Sequence, residues 1–318
     1  MPTAGPAYAA PMTARPVGIS SLAVGDIRLT MIPDGYHRCD PTTTMVGSTT
    51  ADWDAHRHLL DDNGRLVMTM GALLAELPDG HRVLIDLGFG PRTVILEELA
   101  MEFWGGRLLT SLAQLGVHAG DIDTVLYSHL HIDHVGWTTE REHDRLTFDR
   151  ARHVMMRSEW EHWRTRPGAG GPTERDLAVL GDRVELVDEE SQVVPGIRLV
   201  PTPGHTPGHC SFLVSSGTAR AVVLGDAIHC PLQISHPEWA FVADDNPEAA
   251  KRARERLLHE LDAPDTVVVG PHFPDAVFGR VLAGTVPRQV AFDVAPPAAL
   301  QRVVAEAPPG EMLLPPLA

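Results

Sequence analysis

The sequence predicts an α+β fold in which two packed, mixed β-sheets carry helices on their outer faces. Three observations support this prediction. Apolar, β-branched runs end repeatedly in polar loops, helical stretches separate groups of these runs, and no repeat or low-complexity linker divides residues 25–290. Strands followed by helices, and then by strands and helices again, are typical of two sheets packed face to face.

The first part of the chain predicts mainly strands. Residues 25–35 (GDIRLTMIPDG) alternate like a strand that ends in a turn, and residues 51–64 are typical of a short polar helix closed by glycine. Residues 64–90 predict two strands joined by a turn at Pro-Asp-Gly, residues 78–80. Residues 96–117 have helix-period apolar positions and Gly116 as a plausible C-terminal cap.

The second part alternates between strands and helices. Residues 121–137 predict a buried strand that runs into a polar loop, and residues 151–165 predict a strand followed by a helix. The stretch 183–216 is rich in strand signals. Two further β-branched runs, 220–229 and 265–274, each end in a polar loop, with a helix over 247–261 between them.

This pattern predicts a single folded domain over residues 23–292. Residues 1–22 are rich in Pro and Ala and lack periodicity, so we expect a flexible arm that could dock on a second copy of the chain in a homodimer. Residues 293–318 are Pro-rich after a short helical stretch, so we expect a peripheral tail.

The composition excludes several classes of partner. The formal net charge of −16 disfavours nucleic acid, because a broad acidic surface repels phosphate backbones. No apolar run has transmembrane length, and the N-terminus lacks the apolar region of a secretory signal. The three cysteines form no CxxC motif, which favours a reducing compartment. We therefore expect a cytoplasmic protein that binds neither nucleic acid nor membrane.

The strongest chemical signal is the run His-Leu-His-Ile-Asp-His at residues 129–134. In an extended segment, side chains two residues apart face the same way, so His129 and His131 can converge on one metal ion. Asp133 and His134 follow at once and can face a second ion where the chain turns. The spacing therefore predicts a metal site directly after a buried strand.

Three more candidate ligands lie in similar settings. His205 follows the run IRLVP, Asp226 follows AVVLG, and His272 follows TVVVG. Each is a polar side chain at the end of an apolar strand, where rigid β-structure can hold a ligand. Together with the first run, they complete two sites of three protein ligands that share a carboxylate.

The run HLHIDH resembles the HxHxDH signature of the metallo-β-lactamase fold superfamily. The similarity extends from Asp86, in the segment IDLG, through His205 and Asp226 to His272. The resemblance implies an αββα sandwich with metal ions at one edge of the sheets. It also makes residues 23–292 the catalytic domain.

The resemblance implies a role for each candidate. The positions that hold the first metal ion in the superfamily's dinuclear hydrolases match His129, His131 and His205. The positions that hold the second ion match Asp133, His134 and His272. Asp226 matches the bridging carboxylate, and Asp86 matches an early aspartate that orders the loops without binding metal. We expect two divalent ions, zinc first, with Mn, Co or Fe as alternatives.

Two departures narrow the branch of the superfamily. The commonest zinc β-lactamases have a cysteine where this chain has Asp226, which disfavours antibiotic hydrolysis. Many acyl-homoserine lactonases have a tyrosine three residues after the bridging aspartate, where this chain has His229. Residues 225–239 and 270–281 are similar instead to the branch that contains methyl parathion hydrolase and some other lactonases.

The implied reaction is hydrolysis of an ester bond. A hydroxide bridging the two metal ions would attack the carbonyl carbon of a neutral, small lactone or ester. Three alternatives stay open at this stage. The same site could hydrolyse an organophosphate triester, it could act as a thioesterase, or the chain could be an iron-dependent redox member of the fold.

Residues beside the ligands are further candidates. Asp133 could also shuttle a proton, and His229 could donate a hydrogen bond to the developing oxyanion or protonate the leaving group. His209 lies four residues after His205 in a Gly-Pro loop, so we expect it to support the ligands rather than bind metal. Four aromatic residues close to the motifs are candidates for a substrate pocket, namely Trp137, Trp239, Phe241 and Phe273.

Overall fold

The structure is a computed structural model that describes residues 13–97, 100–140, 142–168, 170–263 and 265–292. Its strands are β1 Ser20–Val24, β2 Ile27–Cys39, β3 Met45–Val46, β4 Leu66–Glu76, β5 Arg82–Ile85, β6 Thr93–Leu96, β7 Met101–Trp104, β8 Thr124–Leu126, β9 Arg152–Met156, β10 Val184–Val187, β11 Ser191–Val194, β12 Ile197–Pro201, β13 Cys210–Ser216, β14 Ala219–Val223, β15 Ala240–Phe241, β16 Thr266–Val269, β17 Phe278–Val281 and β18 Val290–Ala291. Its α-helices are α1 Pro41–Thr44, α2 Thr50–Ala55, α3 Leu108–Gln114, α4 Arg157–Trp163, α5 Glu174–Leu180, α6 Leu232–Ser235 and α7 Pro247–Leu261.

Two large mixed sheets form the centre of the molecule. The first has the order β10-β9-β8-β5-β4-β2-β7-β6, with β1 paired to β2, and the second has the order β11-β12-β13-β14-β16-β17-β18. A small ladder joins β3 to β15. Side chains of both sheets meet in one buried apolar cluster, for example Met31 and Leu126 of the first sheet with Phe212 and Val269 of the second. The sheets therefore pack face to face.

Helices cover the outer faces of both sheets. Leu112 of α3 and Trp163 of α4 pack in one buried cluster with Leu84 of β5 on the outside of the first sheet. Leu257 of α7 packs with Val268 of β16 on the outside of the second sheet. The predicted α+β architecture of two sheets with outer helices is therefore confirmed.

Strand β2 is longer than the sequence predicts. The expected turn at residues 33–35 is instead a bulge, and β2 continues to Cys39 in register with β4. A Cβ at Gly35 would collide with the carbonyl oxygen of Trp104, so only glycine allows β7 to approach here. Asp34 turns inward at the bulge, and its carboxylate accepts hydrogen bonds from the backbone N–H groups of Phe89, Gly90, Gly106 and Leu108.

The helix predicted over residues 96–117 is shorter in the structure. Residues 101–104 form β7, which pairs with β2 and β6, and within the described part of this stretch the α-helix is confined to Leu108–Gln114. The aromatic pair Phe103 and Trp104 suits a strand, and Gly106, at φ +123°, breaks the chain before α3. The predicted cap at Gly116 is confirmed, since it adopts φ +70° directly after the helix.

Several other local predictions are confirmed. The turn at residues 78–80 joins β4 to β5, and residues 152–163 form a strand followed directly by a helix. Helix α7 covers residues 247–261 as predicted. Its first turn is capped by the side chain of Asn246, which accepts a hydrogen bond from Ala249 N–H, and Pro247 begins the helix.

The start of the folded region differs from the prediction. Ala14 and Val17 belong to the segment expected to be a flexible arm, but both are buried, and β1 begins at Ser20. The Val17 N–H donates to Thr69 Oγ1 of β4, so this segment packs on the first sheet. The rest of the expected arm, residues 1–12, and the expected tail, 293–318, lie outside the described residues. Among those described, no helix is long and apolar enough to cross a bilayer.

Candidate metal centre

The candidate ligands follow four strands that end at the same edge of the sandwich. His129 begins the loop after β8 of the first sheet, whereas His205, Asp226 and His272 follow β12, β14 and β16 of the second sheet. Strands β14 and β16 are parallel, and β12 has the same direction because β13 runs antiparallel to both β12 and β14. This topology brings residues that are far apart in sequence to one place.

The first group of candidate ligands has three imidazoles and one carboxylate. It consists of His129, His131, His205 and Asp226, with one donor atom of each within 4.8 Å of all the others. The Nδ1 atom of His131 lies 3.0 Å from Nε2 of His129 and 2.8 Å from Nε2 of His205. Three ring nitrogens therefore converge on one point.

The second group is formed by Asp133, His134 and His272, whose donor atoms also lie within 4.8 Å of one another. The Nε2 atoms of the two histidines are 3.2 Å apart. Oδ2 of Asp133 lies 3.7 Å from each of them. All three side chains are buried.

Asp226 lies between the two groups. Its Oδ1 is 3.2 Å from Nε2 of His134 and 2.9 Å from Nε2 of His272. Its Oδ2 is 3.3 Å from Nε2 of His205 and 3.7 Å from Nε2 of His129. One oxygen thus faces each group, which is the arrangement of a bridging carboxylate.

The hydrogen bonds of the histidines orient four lone pairs towards the centre. The Nδ1 atoms of His134 and His205 donate to the carboxylates of Asp86 and Asp244, at 2.9 and 3.0 Å. Nδ1 of His272 donates to the carbonyl of residue 69 at 2.7 Å. Nδ1 of His129 donates to Oγ of Ser128, because that hydroxyl itself donates to Asp86. A neutral imidazole with Nδ1–H presents Nε2 as an acceptor, the form that binds metal.

These residues fit two divalent metal ions. Oδ1 of Asp226 is buried and has no hydrogen-bond partner among the described residues, so a cation would satisfy an otherwise costly group. Imidazole and carboxylate donors suit zinc, manganese, cobalt and Fe(II). Carboxylate and carbonyl groups behind the ligating histidines are typical of metal sites.

The electrostatics of the site divide the candidate ligand histidines around an ionised Asp226. Neighbouring carboxylates outweigh burial and raise the pKa of His134 and His272 above the usual value. Burial lowers the pKa of His129 well below its usual value and lowers that of His131 to about 3. Burial by itself would raise the pKa of Asp226, but His272 and His134 hold it well below its usual range. For His205, burial is outweighed by hydrogen bonds to its two aspartate neighbours, which raise its pKa to about 9.

Comparison with known families agrees with this geometry. The profile of the metallo-beta-lactamase superfamily matches residues 72–272. The chain belongs to the metallo-beta-lactamase superfamily. The matched region contains all seven candidate ligands, and the superfamily's dinuclear metal-binding site is therefore present in this chain.

Two curated relatives of this superfamily member are named as lactonases. The chain is 29% identical over 282 residues to N-acyl homoserine lactonase AttM of Agrobacterium fabrum strain C58, which covers 79% of the chain and 95% of that relative. It is 28% identical over 248 residues to an N-acyl homoserine lactonase of Bacillus cereus, covering 73% of the chain and 89% of the relative.

Solved structures share the fold. AidC, a dizinc quorum-quenching lactonase, matches with a TM-score of 0.72 and 22% identity, over 86% of this chain and 97% of AidC. Hydrolase AbOPH, described as a member of the beta lactamase superfamily, matches with a TM-score of 0.71 and 21% identity, over 86% and 96%. The predictions of the superfamily, its fold and a metal-dependent hydrolase are confirmed.

Two predicted supporting residues contact the ligands without joining either group. Nε2 of His209 accepts a hydrogen bond from the backbone N–H of Asp226 at 2.8 Å, while its Nδ1 donates to the carbonyl of Thr202. Asp86 accepts from Nδ1 of His134 and from the backbone N–H of Ser128. Asp86 thus joins the ligand loop after β8 to the end of β5.

His229 lies directly beside the carboxylate of Asp226. Its Nε2 is 3.3 Å from Oδ2 of Asp226, and its ring stacks on Phe241 with centroids 3.7 Å apart. Neither ring nitrogen makes a hydrogen bond within the part of the chain that the structure describes. Burial lowers its pKa, although Asp226 acts in the opposite direction. A neutral imidazole here has an N–H donor available.

The four predicted pocket residues lie in three different apolar clusters of the structure. Trp239 and Phe241 pack in a buried cluster with Trp53 and Met45, next to His229. Phe273 is fully buried and packs in the cluster that includes Leu257 of α7, and its place in a substrate pocket stays a prediction.

Trp137 also has a structural contact of its own. It packs with the cluster on the outside of the first sheet, and its indole N–H donates to Asp34 Oδ1 at 2.8 Å. Its place in a substrate pocket stays a prediction.

Sequence reasoning did not find the residues that support the ligands from a distance. Asp244 binds His205, Thr69 holds His272 through its carbonyl, and Glu159 binds the loops of the first group. Each of the three lies more than ten residues from the ligand or loop that it supports. No local sequence motif therefore connects it to the metal site. Ser128 could have been found, because it directly precedes His129.

Proposed function

We propose that this chain is a zinc-dependent lactonase whose first candidate substrates are N-acyl homoserine lactones. The observation that carries the proposal is Asp226, which directs one carboxylate oxygen at each of two histidine groups. A carboxylate between two ions is typical of dinuclear hydrolases. The relatives named N-acyl homoserine lactonase, one of which spans 79% of the chain, support the substrate class.

When bound, two zinc ions would supply a hydroxide nucleophile at neutral pH and polarise the oxygen that gains charge. The protein's own part is to hold the ligands and to manage protons. Burial would raise the pKa of Asp133, but His134 and His272 lower it below its usual range. Asp133 is therefore ionised at neutral pH, and its carboxylate can orient the attacking water by accepting a hydrogen bond.

His229 is proposed as a hydrogen-bond donor to the substrate oxygen that becomes negative. Stacking on Phe241 holds its ring beside Asp226. Its lowered pKa favours a neutral ring, which donates a hydrogen bond more readily than it delivers a whole proton to the leaving group. The acidic surface, with a formal net charge of −16, favours a neutral substrate over a polyanion.

The test is a substrate comparison on the purified, zinc-loaded full chain. Hexanoyl and decanoyl homoserine lactones, an aryl ester and a dialkyl aryl phosphotriester would be assayed side by side, with proton release as the readout for lactones. We expect metal-dependent lactone opening that is lost in Asp226→Asn. A zinc-loaded protein that opens no lactone would overturn the proposal, and faster turnover of the phosphotriester would favour the organophosphate alternative.

The role of His229 has its own test. We expect His229→Ala to lower kcat about 100-fold while the zinc content stays at the wild-type value. His143→Ala is the control, because His143 lies on the surface beside Glu140. An unchanged kcat in His229→Ala would reject the role. A cytoplasmic location and a homodimer stay predictions, the latter to be checked by light scattering.

A further inference from the structure

Glu159 is a buried carboxylate that the proposed reaction does not use. It lies on α4 and is only 1% exposed. Its Oε1 accepts hydrogen bonds from Leu130 N–H and Trp163 Nε1–H, both at 2.8 Å. Its Oε2 accepts from Thr206 Oγ1–H at 2.6 Å and from Gly208 N–H at 3.1 Å. All four partners are donors, so each oxygen of the carboxylate accepts two hydrogen bonds.

Three of the four donors lie beside histidines of the first group in sequence. Leu130 lies between His129 and His131 in sequence, and Thr206 and Gly208 follow His205. These donors come from two loops that leave different sheets, so the carboxylate joins the sheets at the edge where the metal ligands lie.

The fourth donor, Trp163, contacts the first group through its ring. The ring of Trp163 lies edge-on to the ring of His131, with centroids 5.5 Å apart. None of the four donors belongs to, or directly adjoins, Asp133, His134 or His272. The contacts of Glu159 are therefore confined to one of the two groups.

The loop after β12 lies close against α4. A Cβ atom at Gly208 would collide with the backbone nitrogen and Cα of Glu159, so only glycine allows this approach. The four hydrogen bonds that the carboxylate accepts are all buried. Loss of the carboxylate would therefore leave buried donors without partners.

We infer that Glu159 is a positioning residue for the first group, which sets the affinity of His129, His131 and His205 for metal without touching it. The inference rests on the proposed function only in requiring metal at this site. Residues that orient metal ligands from behind change metal affinity by about 10- to 100-fold when they are removed. The effect should be confined to the first group.

The experiment separates the two groups by removing one ligand at a time. The His272→Ala variant lacks a ligand of the second group and keeps the first group intact. The His131→Ala variant lacks a ligand of the first group and keeps the second group intact. Glu159→Gln would be added to each, and Zn²⁺ affinity would be measured by competition with a chromophoric chelator. The glutamine keeps the shape, but its amide nitrogen faces a donor at Leu130 or Gly208.

We expect Glu159→Gln to weaken Zn²⁺ binding about 10- to 100-fold in the His272→Ala background and less than about threefold in the His131→Ala background. A merely structural role would weaken both alike. Equal weakening, or an unchanged affinity in the His272→Ala background, overturns the inference. Because no substrate is used, a wild-type protein that binds zinc but opens no lactone refutes the proposed function alone.

Two further variants complete the test. Asp34→Asn alters another buried carboxylate, one that accepts from loops outside the first group, so we expect similar effects in both backgrounds. Selective weakening of the first group by Asp34→Asn would overturn the inference. If Glu159→Gln does not fold, Thr206→Val, which removes a single donor, decides. A first-group loss of about threefold or more supports the inference, and no loss overturns it.

Discussion

Nδ1 of His205 donates a hydrogen bond to Oδ1 of Asp244 at 3.0 Å, and this contact extends the metal centre into the helical layer. The other oxygen of Asp244 lies 3.4 Å from Nη1 of Arg254, a fully buried residue of α7. It also accepts the backbone N–H of Phe241, the residue that stacks on His229. Asp244 therefore binds both the candidate ligand His205 and Phe241, the aromatic residue that stacks on His229.

Replacing Asp244 should weaken the first group. In Asp244→Asn, we expect Zn²⁺ affinity to fall about 10- to 100-fold, because the carboxylate that fixes the Nδ1–H form of His205 is lost. Chelator competition measures the change. Asp245→Asn is the matched control, since Asp245 is adjacent in sequence and half-exposed, and its carboxylate lies 3.7 Å from His162. Equal affinities for the two variants would contradict the assigned contact.

Removing the ring nitrogens of His209 should destabilise the protein even without metal. His209→Phe leaves the backbone N–H of Asp226 without its acceptor in a fully buried place. We expect a loss of about 1–3 kcal/mol in the free energy of unfolding, measured in urea on metal-free protein. The exposed His143 offers the control, since His143→Phe should change stability by less than about 0.5 kcal/mol. If His209→Phe leaves the free energy of unfolding unchanged, the hydrogen bond to His209 does not stabilise the protein and the ring only fills space.

His153 should make the protein less stable as the pH falls from about 6.5 to about 4. Burial lowers its pKa to about 4, so the folded state holds it neutral while the unfolded chain binds a proton near 6.5. Its stabilising effect is full above the unfolded value and declines through this window, by about 3 kcal/mol in total.

The pH dependence of urea unfolding tests this effect by difference. His153→Gln should show a shallower decline than wild type between pH 6.5 and pH 4, because glutamine does not titrate. The hydrogen bond from His153 Nε2–H to Phe148 O and the contact with Tyr127 Oη are lost at every pH, so they cancel in the slope. Parallel curves would refute a neutral, buried His153.

Gly136 should not tolerate even a methyl group. A Cβ there would collide with the carbonyl group of Phe89, because the segment after His134 packs directly on the turn after β5. We expect Gly136→Ala to lower the free energy of unfolding by about 1–3 kcal/mol. Gly18→Ala is the control, since no atom lies within 4 Å of its added Cβ. A melting temperature equal to that of Gly18→Ala would contradict this packing.

Features that depend on residues close in sequence could be predicted from the sequence. The run at 129–134, the turn at 78–80 and helix α7 could be predicted because each depends on residues close in sequence. Strand β7 could not, because Met101–Trp104 fits a helical period and becomes a strand only by pairing with β2 and β6. The buried segment around Val17 could not either, since its partner Thr69 lies far along the chain.

The sequence by itself determined the two-sheet class, the superfamily and the set of seven candidate ligands, because these follow from residue types at strand ends. Only the tertiary structure decided which atoms face each other. Asp226 divides its two oxygens between the groups, and Asp244 and Glu159 support ligands from other elements. Such contacts depend on the direction in which buried side chains meet across two sheets, and spacing along the chain does not specify that direction.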